Sequence, residues 1–167
     1  MLHINELTEE LAMNNLLEGE YREIISRTIE ASVKQCDGLL QTTVSQIDTL
    51  HADPPVKYEF SIMGAFDENL VLREIRVTKM EGSRGDICYP AKEALQALVG
   101  IQVGTGFNTK MREVYGPSGC MHFPALLEQM ATMAFRSRLA EILRTKGKEA
   151  FIQSNQALFK GKCVGYR

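Results

Sequence analysis

From Arg22 onward the apolar residues fall on alternate positions, and this restricts the first half of the chain to β-structure. Ile25, Ile29, Ala31 and Val33 interleave with Ser26, Thr28, Glu30 and Ser32. Successive side chains of a strand point to opposite faces, so such a pattern marks a half-buried strand. Asp37-Gly38 follows, a pair that tolerates positive φ at both positions and so closes a hairpin. The returning segment, Leu39 to Asp48, is a second strand with less clear alternation. Leu50 to Pro55 reads as a loop, because Pro54-Pro55 cannot donate to a central ladder. Val56, Tyr58, Phe60, Ile62 and Phe66 then alternate through the clearest strand in the chain. Asp67-Glu68-Asn69 turns the backbone, and Leu70 to Met80 runs back with Val71, Ile75 and Val77 on one side. Four strands joined in this way form an antiparallel meander with one apolar face to be covered.

Helices supply the cover. Asn5 to Leu17 carries Leu7, Leu11, Leu16 and Leu17 on one side and is ended by Gly19. Pro90 suits a first helical turn, where its missing N–H is no loss. Behind it Ala94, Leu95, Leu98 and Ile101 recur at helical spacing, and Gly104 stops the run. Gly104 to Gly119 reads as a glycine-bearing loop. Pro124 opens a longer helix with Leu127, Met130, Ala131, Ala134, Phe135, Leu139 and Ile142 as its buried stripe. Gly147 breaks that helix, and Lys148 to Phe159 forms a last one. The expectation is one α+β domain over residues 1–167: an N-terminal helix within 1–20, antiparallel strands over 22–80 and a helical part over 88–160.

With 167 residues, 44% of them hydrophobic and 24% charged, the chain can bury a real core. A net charge of -2 offers no basic field for a phosphate backbone, which argues against nucleic acid. No apolar run approaches the roughly 20 residues needed to cross a bilayer. The segment before Arg22 has glutamates but no lysine or arginine, unlike the basic start of a secretory signal. A cytoplasmic chain is therefore expected, with its four cysteines as reduced thiols.

Cys88 stands two residues before Pro90, and His122 two before Pro124, with Cys120 just upstream. Helix N-termini expose unpaired N–H groups and the positive end of the dipole, so a thiolate is stabilised there. If both helix starts reach one edge of the sheet, the three side chains converge. His51 or Asp53, in the loop before the clearest strand, would complete an N/S/O set suited to zinc or iron. Lone Cys36 and Cys163 read as small buried hydrophobes, and Met130 and Met133 as core residues. Gly104-Thr105-Gly106 lacks the lysine and hydroxyl residue of a P-loop and reads as a turn.

The stretches Cys88-Tyr-Pro-Ala, Leu98-Val-Gly-Ile-Gln-Val-Gly-Thr-Gly-Phe107 and Gly119-Cys-Met-His122 resemble the bacterial domain-of-unknown-function family 2889. The likeness covers most of Arg22 to Leu143 and implies no activity. A more distant likeness is to the iron–sulfur scaffold and sulfur-acceptor fold of the IscU, NifU and SufE types. On that likeness Cys88 matches a middle cysteine, and Cys120 with His122 matches the pair that opens the last long helix. His51-Ala52-Asp53 takes the place of a Cys-Gly-Asp element. The order of Cys120 and His122 departs from the scaffolds, which have histidine directly before cysteine.

Three functions follow as expectations. The first is a metal-binding protein with zinc, iron or an iron–sulfur cluster held by Cys88, Cys120, His122 and His51 or Asp53, which implies a sulfur or iron–sulfur pathway partner. The second is a thiol enzyme that accepts sulfur or attacks an acyl thioester through Cys88 or Cys120, with His122 as acid/base. The third is a non-catalytic interaction subunit. An uncovered edge strand would also suit a homodimer.

Overall fold

A computed structural model describes residues 22–82, 88–116 and 120–159. The helix expected over Asn5 to Leu17, and Cys163, lie outside the described residues. The strands are β1 (Ile25–Cys36), β2 (Leu39–Leu50), β3 (Val56–Phe66) and β4 (Leu72–Glu81). They pair in the order β1-β2-β3-β4, all antiparallel, which is the expected meander. The β1–β2 turn has Asp37 at φ 50 and Gly38 at φ 78, the positive-φ pair that a tight hairpin of this hand requires. The α+β class read from the sequence is the class observed.

Alternation decides which face is covered. Leu40, Val44, Phe60, Ile62, Phe66, Leu72 and Ile75 point to one face and are buried. Thr43, Ser45 and Thr49 point to the other and are only half-buried. In β4 the buried set is Leu72 and Ile75 with half-buried Val77, rather than the expected Val71, Ile75 and Val77. Register shifts between Ser61 and Ile62 and between Ala65 and Phe66 re-phase the ladder, as an extra strand residue does. Val71 instead bridges to Gln102, and Leu72 exchanges hydrogen bonds with Gly100 and Ile101.

The helices are α1 (Tyr89–Ala94), which runs into a 3₁₀ turn over Leu95–Leu98, then α2 (Thr105–Tyr115) and α3 (His122–Phe159). The helix expected from Pro90 onward is therefore shorter than its apolar spacing implied, and Ile101 lies beyond it. The expected loop from Gly104 to Gly119 contains α2. Its glycines obscured an apolar series at Phe107, Met111 and Val114–Tyr115, with Phe107 and Tyr115 buried. Those contacts outweigh the poor helix propensity of Gly106. In α3, Gly147 has φ 81 and ψ 179 and splits the helix where the sequence placed a break. Among the described residues no helix is long and apolar enough to cross a membrane.

The start of α3 lies close on the sheet. Phe123, Leu126, Leu127 and Met130 are fully buried, and Met130 sits over Gly64 of β3. A Cβ added at Gly64 would stand 2.7 Å from Met130 Sδ and 3.1 Å from Leu72 Cδ1. The absent side chain thus sets how near the helix can come. Gly64→Val is expected to destabilise the protein by about 1–3 kcal/mol through overpacking. Urea denaturation should show part of that loss recovered when Met130→Ala is added. A Gly64→Val protein of unchanged stability would mean that the approach is not tight.

Candidate functional site

The two-residue turn at Asp37-Gly38 fixes which residues of the first hairpin face one another, and it places Arg27 opposite Asp48. Both point to the helix-covered face, where Arg27 interrupts the apolar series of β1 and Asp48 is 5% exposed. A carboxylate in such a place needs a compensating charge and hydrogen bonds. Arg27 supplies them as a fork, with Nε donating to Oδ1 at 2.6 Å and Nη2 to Oδ2 at 2.8 Å. Gln46, two residues earlier on β2, donates its Nε2 to Oδ2 at 3.0 Å. The Arg27 hydrogen bonds hold the Asp48 carboxyl below its usual range; burial opposes them, and Gln46 and His122 add to them.

His122 is the first residue of α3 and is laid over this pair. Its ring stacks on Phe60 of β3, with centroids 4.1 Å apart and planes at 17°. Phe60 is the register partner of Gln46, so three adjacent strands contribute to one floor. The stack fixes the imidazole plane and points its two nitrogens to different groups. Nε2 lies 3.8 Å from Asp48 Oδ2, and Nδ1 lies 3.9 Å from Cys120 Sγ. The first distance is that of an ion-pair contact rather than a hydrogen bond. Contacts of this kind commonly tighten when substrate binds. Burial pushes the His122 imidazole below its ordinary value; the Asp48 charge works against this, and Arg27 reinforces it. The ring is therefore neutral at neutral pH, and the tautomer that suits its surroundings carries the proton on Nε2, toward the carboxylate, which leaves the Nδ1 lone pair to the sulfur.

Cys120 is half-buried and packs on the core. Tyr115 stands beside it: burial, and secondarily the Cys120 sulfur, push this phenol above its ordinary range. The Tyr115 hydroxyl donates to Ala91 O at 2.9 Å, and its ring meets Phe123 at 6.1 Å. Tyr115 thus ties α1, which Cys88 directly precedes, to the start of α3.

The other residues singled out in the sequence lie elsewhere. His51 is held by Ser26 Oγ at 2.8 Å and Glu23 at 2.9 Å, at the outer end of the first hairpin. Asp53 is exposed in the loop before β3. Cys88 is half-buried at the start of α1. Cys36, expected as a buried hydrophobe, is exposed, because it ends β1 beside the hairpin turn. Among the described residues no three of histidine, cysteine, aspartate and glutamate form a group that would hold a metal ion. Both His122 nitrogens already face protein groups, and Asp48 is engaged by Arg27. Cys120 and His122 stand together, and among the described residues no hydrogen bond or ion pair joins them to Cys88, His51 or Asp53. The carboxylate at His122 is instead Asp48, which was not among those residues. The signal for it was the count from the Asp37-Gly38 turn, together with a charged residue on the apolar face of each strand.

The fold and site define an α+β protein with a four-stranded meander carrying a thiol–imidazole–carboxylate array under its longest helix. Residues 25–136 match the family described as "Protein of unknown function (DUF2889)", and the chain belongs to that family. The matched span includes Arg27, Asp48, Phe60, Cys120 and His122. No curated protein and no solved structure matches the chain, and neither comparison supports the scaffold likeness.

His122 also makes stability depend on pH. Its folded-state pKa is lowered, so below about pH 6.5 the unfolded chain takes a proton that the folded chain resists. Stability should fall as pH drops through that range, and fall again at lower pH as Asp48 is forced to protonate. Chemical denaturation across pH should show the upper fall in the native protein and not in His122→Asn. The same upper fall in both would assign it to another group.

Proposed function

We propose that the protein is a thiol-dependent acyl-transfer or thioester-cleaving enzyme in which Cys120 is the nucleophile. The observation that carries this reading is the placement of His122 between Cys120 Sγ and Asp48 Oδ2, one ring nitrogen to each, at 3.9 and 3.8 Å. A nucleophile, a base in reach of it and a third group orienting the base is the arrangement that nucleophilic catalysis requires. Cys120 attacks the acyl carbonyl carbon as its proton passes to His122 Nδ1. The new C–S bond replaces the bond to the leaving thiol or alcohol, which departs with that proton. Water then attacks the Cys120 thioester, with His122 again as base, releasing the acid and restoring the thiol. Asp48, locked by Arg27, faces Nε2–H and its charge stabilises the imidazolium formed at each step.

The arrangement supports acyl chemistry over metal binding because it is linear. His122 spans two groups that turn to opposite sides of its ring, whereas a metal needs donors aimed at one point. In near-neutral buffer, iodoacetamide should label Cys120 about 100-fold faster than the exposed Cys36, the lower range of what a positioned base contributes. His122→Asn should bring Cys120 down to the rate of Cys36, and Asp48→Asn should leave it between the two. Mass spectrometry of the labelled peptides reads all three rates. Equal, slow labelling of Cys36, Cys88 and Cys120 would overturn the reading. Near-stoichiometric zinc or iron that is lost in Cys88→Ser and Cys120→Ser would replace it with the metal-binding one.

A further inference from the structure

The two edges of the sheet are finished differently. Along β4, Leu72 exchanges hydrogen bonds with Gly100 and Ile101, Val103 N–H donates to Leu70 O, and Gln96 Nε2 donates to Ile75 O. The segment after α1 thus closes much of that edge. β1, at the other edge, pairs with β2 alone among the described residues. It runs for 12 residues, all but Ser26, Ala31 and Val33 exposed, without a proline or a bulge. Natural proteins usually shorten, bend or cover an edge of this length. Its main chain tells which groups are free. A two-residue hairpin is closed by a hydrogen-bonded pair, here Cys36 with Leu39. At the far end His51 N–H donates to Ile24 O at 2.9 Å, in the same phase. Even-numbered residues of β1 therefore bond to β2, and Arg27, Ile29, Ala31, Val33 and Gln35 turn N–H and C=O to the open side. The same residues lie on the helix-covered face, where Ile29 is 39% exposed and Ala31 and Val33 are half-buried.

We infer that this edge pairs antiparallel with β1 of a second copy of the chain, about a twofold axis at Ala31. The side chains choose that register. An axis at Glu30 would set two glutamates directly opposite one another, which destabilises a ladder. An axis at Ser32 would gain pairs of Glu30 with Lys34 but would set Ile29 opposite Gln35, leaving its apolar surface unmatched. With the axis at Ala31, Ile29 lies opposite Val33 of the second copy on the covered face. Thr28 then lies opposite Lys34, and Glu30 opposite Ser32, on the outer face. The free donors and acceptors of the two strands form about ten main-chain hydrogen bonds. About eleven residues a side take part, fewer than the roughly 20–30 of a standard interface, so the pairing is reversible and depends on concentration. β1 becomes an inner strand of a sheet twice as wide. Arg27, which holds Asp48, gains Gln35 of the second copy opposite it.

Sedimentation velocity of the full chain from about 5 to about 500 μM, a range that brackets a weak interface, should show a monomer–dimer equilibrium. Ala31→Pro removes a donor that β2 does not use. That variant should keep its circular dichroism spectrum and stay monomeric over the whole range. Thr28 and Lys34 are both exposed, so charge at position 28 tests the register without touching the core. Thr28→Lys, facing Lys34 of the second copy, should dimerise about tenfold more weakly than Thr28→Glu, and added salt should narrow the difference. This comparison stands even where Ala31→Pro fails to fold. A monomer at every concentration, or a dimer indifferent to both kinds of substitution, would overturn the inference. A dimer lost in Ala31→Pro but blind to charge at position 28 would overturn the register. A monomer whose Ile29, Ala31 and Val33 amides resist hydrogen exchange would also overturn it, since another segment of the same chain would then hold the edge.

Discussion

A carboxylate placed under a helix, on the face of a sheet that is otherwise apolar, is the constraint to which the surrounding structure answers. Asp48 can be ionised there only because Arg27 reaches it with two donors from the neighbouring strand and Gln46 with a third. Removal of one partner from a buried ion pair leaves a charge without compensation, which costs more than the pair itself contributes. The half-exposed guanidinium of Arg27 keeps part of its hydration, so the pair is cheaper to hold than one sealed in the core. Its geometry is set by β1–β2 register, and the register is set by the Asp37-Gly38 turn. A two-residue turn therefore decides, ten positions along each strand, whether His122 has an acid beneath it.

The second constraint is the height of α3 above the sheet. Gly64 lets Met130 settle against β3, while about two helical turns earlier Phe60 supports the His122 ring. The helix rests on a missing side chain at one point and on an aromatic face at the other. This brings the imidazole down to the carboxylate without a hydrogen bond to fix it in advance. Cys120, upstream of the first turn, enters from the side on which Tyr115 and Phe123 pack.

Most of the sheet was legible because alternation is a direct image of a two-faced strand. β2 was the exception, and the reason lies in the site. Its buried face reads Leu40, Thr42, Val44, Gln46 and Asp48, so polar residues occur on both faces and the period fades. Buried polar groups, two of them in the Asp48 cluster, thus erased the signal by which the strand is recognised. α2 was hidden differently: Gly104, Gly106 and Gly116 suggested a loop, although Phe107, Met111 and Tyr115 have helical spacing. Cys120 and His122 were visible as a motif because they are neighbours in sequence. Asp48 and Arg27 were not, since their partnership exists only once the hairpin has been counted out, and the histidine chosen in their place, His51, belongs to the outer end of that hairpin.

The same strand carries the clearest sign that stability was not the sole determinant of its sequence. Gln46 Oε1 and Thr42 Oγ1 are buried without a protein partner, and each such atom costs about 1–3 kcal/mol relative to a satisfied one. An apolar residue at either position would make a more stable sheet. For Gln46 a reason is at hand: its amide nitrogen is committed to Asp48, and the oxygen at the other end of the same amide must go wherever that commitment leaves it. A leucine there would remove the unsatisfied oxygen and, with it, one of the donors that keep Asp48 ionised. The Thr42 hydroxyl is four residues away along the strand, roughly 13 Å, and nothing in the site explains it. Local rules that fail at Gln46 and hold at its neighbours are what a strand shaped by its chemistry should show.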